Sequence, residues 1–287
     1  MSAREPYPGT QAVWRAISLL KAFTDAQPEL SLVELARLVG LNKTTAYRLL
    51  TALENEGMVV RNADTETYRL GPEMIVLGGR ALRANELRPL SRGELQALAQ
   101  EIGEATTLEI LVGDEVLVLE EIPGGHLVST NQAVGTRWPA YATSTGKAML
   151  ADLPASALGQ ALPGPLVQLT GWTITNLTDL QTELAQVRRQ GYAVADQEIE
   201  IGFIAVGAAV RNHEGRAVAA ISVNGPTARL TPARIPEVGA LVKAAAQRIS
   251  ENLGFRAIEQ RGSGEGVSCV SLLCSLAPPL LCLVIML

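Results

Sequence analysis

The sequence predicts an α+β protein in two parts, a small three-helix domain closed by a hairpin and a larger antiparallel-sheet domain with segregated helices. Three observations lead there. Apolar residues recur at helical spacing in separate runs between Gln11 and Glu56, each bounded by a cap or a glycine. From Thr106 onward the period changes to two. Helical patterns then fall between and after the strands and do not alternate with them, which is the arrangement of an antiparallel sheet.

The elements of the first part read in order. Val13, Ala16, Ile17 and Leu20 lie on one face of a helix expected over residues 11–25. Ser31 and Glu34 form an S-x-x-E capping box ahead of the stripe Leu32, Leu35, Ala36 and Val39, and Gly40 supplies the left-handed residue that ends a helix. Asn42 is a good N-cap for a third helix from Lys43 to about Glu56, whose inward positions are Ala46, Leu49, Leu50 and Leu53. Gly57 stops it. Val59 to Asn62 and Thr67 to Leu70 then read as two short strands around the polar tip Ala63-Asp64-Thr65-Glu66.

Three helices followed by a hairpin, with a tight glycine-containing turn between the second and third, make a winged helix-turn-helix. The outward face of the third helix carries Lys43, Thr44, Tyr47, Arg48 and Thr51. A helix so placed puts its N-terminal residues, Asn42 to Thr45 here, at the major groove of double-stranded DNA. Arg48 has the fork geometry to grip guanine, Lys43 and Thr44 suit phosphate, and Arg61 and Arg69 would flank the wing. The competing reading is a merely solvated helix face, and Tyr47 could instead pack under the wing.

Charge bears on this in an unexpected direction. The whole chain is acidic, with a formal net charge of −5, whereas a nucleic-acid binder is expected to be basic. Residues 1–70 balance eight Lys/Arg against eight Asp/Glu, and within them Leu35 to Leu53 holds Arg37, Lys43 and Arg48 with no acid. The positive charge is local.

Residues 72–102 form a helical connector with a break expected near Pro89. Met74, Leu77, Gly78 and Ala81 share one face, and Leu95, Leu98, Ala99 and Ile102 another; such a face serves either a dimer partner or the chain's own core. Thr106–Val112 and Glu115–Ile122 are strands joined by the two-residue turn Gly113-Asp114. Further strands are expected at Tyr192–Gln197, Ile204–Val210 and Ala217–Val223. Thr178 caps a helix that Gly191 terminates, and Thr231-Pro232 opens a long helix that stops at Gly254.

These residues together resemble the IclR family of transcriptional regulators. In the first part the likeness rests on Ser31-Leu32-Val33-Glu34-Leu35-Ala36, on the run from Leu41 to Leu50, and on Tyr68-Arg69-Leu70-Gly71. In the second it rests on Val134-Gly135-Thr136-Arg137, Ala142-Thr143 through Gly146-Lys147-Ala148, Asp196-Gln197-Glu198, Gly202, and the run from Ala220 to Pro226. The resemblance implies a cytoplasmic regulator that binds a palindromic operator as a homodimer or tetramer, with a GAF-like C-terminal effector domain that takes a small organic acid. The domains would be 10–71 for DNA binding, 72–90 as linker and 91–255 for the effector and oligomerisation.

Carried over by position, the effector pocket comprises Thr143, Ser144, Gly146, Asp196, Phe203, Ala205, Ser222 and Asn224. Gly146 would let backbone approach a ligand, and the hydroxyls of Thr143, Ser144 and Ser222 would donate to it; helix capping and strand-edge bonding are the alternative uses of those hydroxyls. The chain departs from the usual pattern in having Ala205 where relatives often carry cysteine, Asn224 in place of a second serine, and Gln197 in place of a second acid. Ile201, Phe203, Ile204 and Ala205 would suit a more apolar ligand than a short keto acid.

The competing class is a small-molecule enzyme fused to the helix-turn-helix. The sequence has no G-x-S-x-G and no phosphate loop, and its acidic pairs Glu120-Glu121 and Glu198/Glu200 read as solvent-facing strand residues. No cofactor or metal is expected, since His126 and His213 stand far apart with no ligand spacing. All three cysteines, Cys269, Cys274 and Cys282, fall in an uncharged stretch from Val267 to Leu287. Residues 256–287 lie beyond the resemblance and read as a disordered or self-packing tail, an artefactual extension, or a tail anchor interrupted by Pro278-Pro279.

Overall fold

The computed structural model describes residues 7, 9–126 and 133–256. The expectations for the C-terminal tail therefore lie outside the described residues.

Helix α1 (Gln11–Leu20) buries Leu19 but stops five residues before the expected end, because the chain turns at Lys21 and closes a small bridge between Thr24 and Gln27. A two-residue strand not evident in the sequence, β1 (Leu30–Ser31), pairs with the wing. The same Ser31 then caps α2 (Leu32–Val39): its Oγ accepts from the Glu34 amide while the Glu34 carboxylate accepts from the Ser31 amide at 2.8 Å. That hydrogen bonding holds the Glu34 carboxyl below the usual carboxylate range. Gly40, at φ 69°, turns the chain into α3 (Lys43–Asn55), whose first free amides are served by Asn42 Oδ1 on Thr45 N–H at 2.8 Å. Strands β2 (Val59–Arg61) and β3 (Thr67–Leu70) complete the wing. Leu19, Leu30, Leu35, Leu50, Val59 and Tyr68 form one buried cluster, so the tyrosine under the wing is Tyr68 and Tyr47 remains outside.

The connector is two helices, α4 (Pro72–Arg83) and α5 (Leu87–Ile102). The break falls at residues 84–86, where Asn85 Oδ1 accepts from the Leu87 amide. Pro89 sits in the first turn of α5, where its missing N–H costs little.

The second part is built on six antiparallel strands. They are β4 (Ala105–Val112), β5 (Glu115–Ile122), β6 (Arg137–Pro139), β7 (Ala193–Asp196), β8 (Phe203–Arg211) and β9 (Ala217–Pro226), in the order β6-β5-β4-β9-β8-β7. The three-residue β6 escapes detection because it is short and proline-terminated at a sheet edge. Between the strands come α6 (Ser144–Leu150), α7 (Leu158–Ala161) and α8 (Leu177–Gln190), and after them α9 (Ile235–Asn252). Two helix starts differ from expectation. Asn176, not Thr178, caps α8 by accepting from the Asp179 amide. Thr231-Pro232 lies in a preceding turn, and the first-turn proline of α9 is Pro236.

Strand alternation divides this domain into two layers. Leu108 of β4, Val206, Ala208 and Val210 of β8, and Ala219, Ile221 and Val223 of β9 face α5 and α9, meeting Leu95, Leu98, Val242, Ala245 and Ile249. The intervening residues face α6 and α8, where Ala148, Met149, Leu150, Leu180, Leu184 and Val187 pack with Ala193 and Ala220. On that second face the strands also carry Thr107, Glu109, Ser222 and Asn224, all buried.

Replacing Ser31 by alanine removes one half of the capping box and is expected to cost about 1 kcal/mol. Amide exchange across α2 should accelerate roughly fivefold, with the sheet of the second domain unaffected; equal exchange in both proteins would show that the cap contributes nothing.

Candidate nucleic-acid interface and ligand cavity

On α3, Asn42, Lys43, Thr44, Tyr47 and Arg48 are exposed, while Thr45 is half-buried with its amide capped. Ala46 and Leu50, on the other side of the helix, are fully buried, so packing fixes which face the polar residues present. Lys43, Arg48 and Arg69 form no ion pair among the described residues. Arg61 differs, because Glu66 at the wing tip takes its guanidinium at 2.9 Å and offsets its charge. The structure thus gathers Lys43 and Arg48 on one exposed face with their charge unspent.

The second face of the sheet forms a cavity of about 360 Å³ beneath the start of α6. Of the residues expected there, Thr143, Ser144, Phe203, Ala205, Ser222 and Asn224 line it. Thr143 also caps α6, accepting from the Gly146 amide at 3.0 Å. Gly146 itself is not in the wall: a Cβ there would lie 2.1 Å from the Ala140 carbonyl oxygen, so the close approach it permits is to the chain's own backbone. Asp196 is exposed and outside the wall, because alternation along β7 turns Ala195 inward and Asp196 away. Ile201 is 70% exposed and does not line the cavity either.

The carboxylates of the cavity come from other positions. Glu109 of β4 is buried, receiving Thr145 Oγ1 on Oε2 at 2.5 Å and Thr107 Oγ1 on Oε1 at 2.8 Å. It pairs with no Lys, Arg or His among the described residues, and burial pushes its carboxyl above the usual range despite the two hydroxyls. Glu198 is buried as well, and its Oε1 accepts from Lys147 Nζ at 2.6 Å. Burial raises its carboxyl too, with the lysine opposing. Lys147 is 1% exposed and also reaches Glu183 at 3.3 Å. Trp138, from β6, and Ile199 and Glu200, from the turn after β7, complete this part of the wall.

Glu198 and Glu120 correct the expectation of solvent-facing acids. Glu198 is held inside by Lys147, and Glu120 by Arg88 and Arg92 of α5. Glu109 had a detectable signal in the sequence, since it is the one charged residue of its strand and stands between Leu108 and Ile110.

An exposed, uncompensated cationic helix in a winged helix-turn-helix, joined to a domain with an internal cavity of ligand size, defines a DNA-binding transcriptional regulator with a ligand-binding domain. The model of the IclR helix-turn-helix domain matches residues 12–63, and that of the bacterial transcriptional regulator IclR C-terminal domain matches residues 79–251. The chain belongs to the IclR family. It is 32% identical over 251 residues to the HTH-type transcriptional regulator XynR of Escherichia coli, covering 87% of this chain and 100% of that one. It is 31% identical over 246 residues to the HTH-type transcriptional regulator KipR of Bacillus subtilis, covering 85% and 98%. Among solved structures it is similar to an IclR homologue of Microbacterium hydrocarbonoxydans complexed with 4-hydroxybenzoate, at 27% identity and a TM-score of 0.72, covering 84% and 98%. These relatives are regulators and not enzymes. Among the described residues no helix is long and apolar enough to cross a membrane.

The buried Glu109 makes a prediction about pH. A carboxyl whose folded pKa lies above its unfolded value makes the fold less stable as pH rises from the ordinary carboxylate range through that raised value. Glu109→Gln removes that loss while keeping the shape, so its melting temperature should exceed that of the parent at pH 8 by more than at pH 5. A gap that is constant with pH would show that Glu109 does not titrate differently in the folded state.

Proposed function

We propose that the chain binds a palindromic operator in the cytoplasm as a dimer, or a pair of dimers, and that a small organic acid in the sheet cavity controls that binding. The observation that carries the DNA side is the exposed pair Lys43 and Arg48 on α3, with no acid among the described residues engaged to either. Dimerisation is supported by apolar side chains left outside. On α1, Val13, Trp14 and Ile17 are exposed, and on α4, Ile75, Val76 and Leu77, with Ile75 at 79%. A single winged domain carrying so little net charge binds weakly, and two half-sites on one duplex convert the second contact into an intramolecular one.

The acid effector is supported by the cavity's size, at the lower end of the range for small-molecule sites, and by the hydroxyls of Thr143, Ser144 and Ser222 in its wall. The similar chain from Microbacterium hydrocarbonoxydans holds 4-hydroxybenzoate. Ile199, Phe203 and Ala205 give this cavity an apolar side that a two- or three-carbon keto acid would leave unfilled.

Selection from a random duplex library should return an inverted repeat. On that duplex Arg48→Ala should weaken binding by roughly 1–3 kcal/mol and relax the choice of base at one position in each half-site. Unchanged affinity and unchanged salt dependence would remove Arg48 from the interface. For the effector, calorimetric titration with benzoates, phenyl-substituted and branched aliphatic acids, glyoxylate and pyruvate should favour the larger members; tight glyoxylate or pyruvate binding would sink the apolar-ligand reading.

A further inference from the structure

The two halves of the DNA-binding domain carry their charge differently. From Leu35 to Leu53 the chain has Arg37, Lys43 and Arg48 and no acid, whereas residues 59–70, the wing, set Asp64 and Glu66 against Arg61 and Arg69. Glu66 engages one of these cations directly: its Oε1 accepts from Arg61 Nη2 at 2.9 Å. Both side chains reach water, Arg61 at 38% and Glu66 at 76% exposure, so a phosphate can approach either of them.

The backbone gives Glu66 no reason to be there for the fold. It lies at φ 54°, in the left-handed region that only one other non-glycine among the described residues, Gln197, enters. A hairpin loop ordinarily has glycine or asparagine at such a position. The tip also closes without this side chain. Asn62 Oδ1 accepts from the Asp64 amide at 3.0 Å, the Asn62 amide donates to the Thr67 carbonyl at 2.8 Å, and the Thr65 and Thr67 hydroxyl oxygens lie 2.7 Å apart. An exposed ion pair returns less stability than the left-handed conformation takes from a residue with a side chain. The carboxylate therefore serves something other than folding, and what it holds is a guanidinium of the wing.

We propose that Glu66 is a specificity-determining residue of the DNA interface: it withholds Arg61 from phosphate on DNA of any sequence, so that discrimination rests with α3. The proposal rests on the reading that the wing meets the duplex. Phosphate is present at every register of a duplex, so a free Arg61 on a loosely held domain finds a partner wherever the chain lands. On an operator the base contacts of α3 fix the register, and the wing has one set of phosphates within reach. Paired to Glu66, the guanidinium must leave one anion to gain another, and the carboxylate itself stands against the phosphate charge. The pair weakens the sequence-independent complex more than the operator complex.

The test is fluorescence anisotropy on the full chain at several salt concentrations, with the selected inverted-repeat duplex and a duplex of unrelated sequence and equal length. Glu66→Gln should tighten binding to the unrelated duplex roughly threefold to tenfold and steepen its salt dependence by about one counterion per wing, with a smaller gain on the inverted repeat. Glu66→Gly should act likewise and melt no lower than the parent, because the backbone already holds a glycine conformation. In an Arg61→Gln background Glu66→Gln should lose most of its effect. Equal gains on both duplexes, no gain on either, an undiminished gain without Arg61, or a Glu66→Gly chain that melts below the parent each overturns the proposal. Arg61→Gln tells the two readings apart. If it leaves binding to both duplexes unchanged, the wing does not meet the duplex and the proposal falls with that reading; if it weakens binding while Glu66→Gln changes nothing, the wing contact stands and the role of Glu66 falls alone.

Discussion

The second domain depends on how closely α6 can approach its sheet. Gly207 sets that distance, and Gly146 seats the helix on the turn that precedes it. Gly146 rests on the Ala140 carbonyl, and Gly207 of β8 lies under the first turn of α6, where a Cβ would fall 2.9 Å from Ser144 Oγ and 3.0 Å from the Ser144 carbonyl carbon. With both side chains absent, Thr145 reaches Glu109 across the layer, and Lys147, two residues on, reaches Glu198 and Glu183. The cavity is the space left where this seated helix begins and the strands diverge from it. A methyl group at Gly207 would push the helix from the sheet and strain the hydroxyl contact to Glu109, and one at Gly146 would clash with the turn at Ala140.

The polar groups on this face trade stability for shape. A buried lysine with two carboxylates is worth little net energy, because desolvation consumes most of what the pairing returns. Removing one partner is costly, so the cluster resists piecemeal change. Lys147 ties α6 to α8 through Glu183 and to the turn after β7 through Glu198, three segments far apart in the chain. Thr107, Ser222 and Asn224 join β4 to β9 across the same face, with Thr107 and Ser222 oxygens 2.8 Å apart. Both faces bury an apolar cluster, and the polar groups among the second specify its geometry.

Legibility in the sequence followed the range of the interactions. The capping box at Ser31, the left-handed Gly40, the Asn42 cap and the Gly113-Asp114 hairpin are local signals, and the structure shows each of them. Short β1 and β6 were invisible because two or three residues carry no period. Register along a strand decides inward from outward, and a motif match does not determine it. That is why Asp196 was expected in the cavity wall and Glu198, two residues on and past the end of β7, is found there. The acids that turned out buried needed partners contributed by distant helices, Arg88 and Arg92 for Glu120 and Lys147 for Glu198, and no window of sequence contains both ends of such a pair.

One consequence of a cavity that lies inside the sheet domain concerns time and not affinity. Any ligand that binds the folded domain and not the unfolded chain makes occupancy a source of folding free energy, by mass action on the folded state alone. In a cell, a difference of a kilocalorie or two in stability changes how much of a protein survives its proteases. For a receptor whose ligand binds only the folded domain, empty chains would be cleared sooner than occupied ones, and the number of regulators present would become a second record of how much ligand there has been.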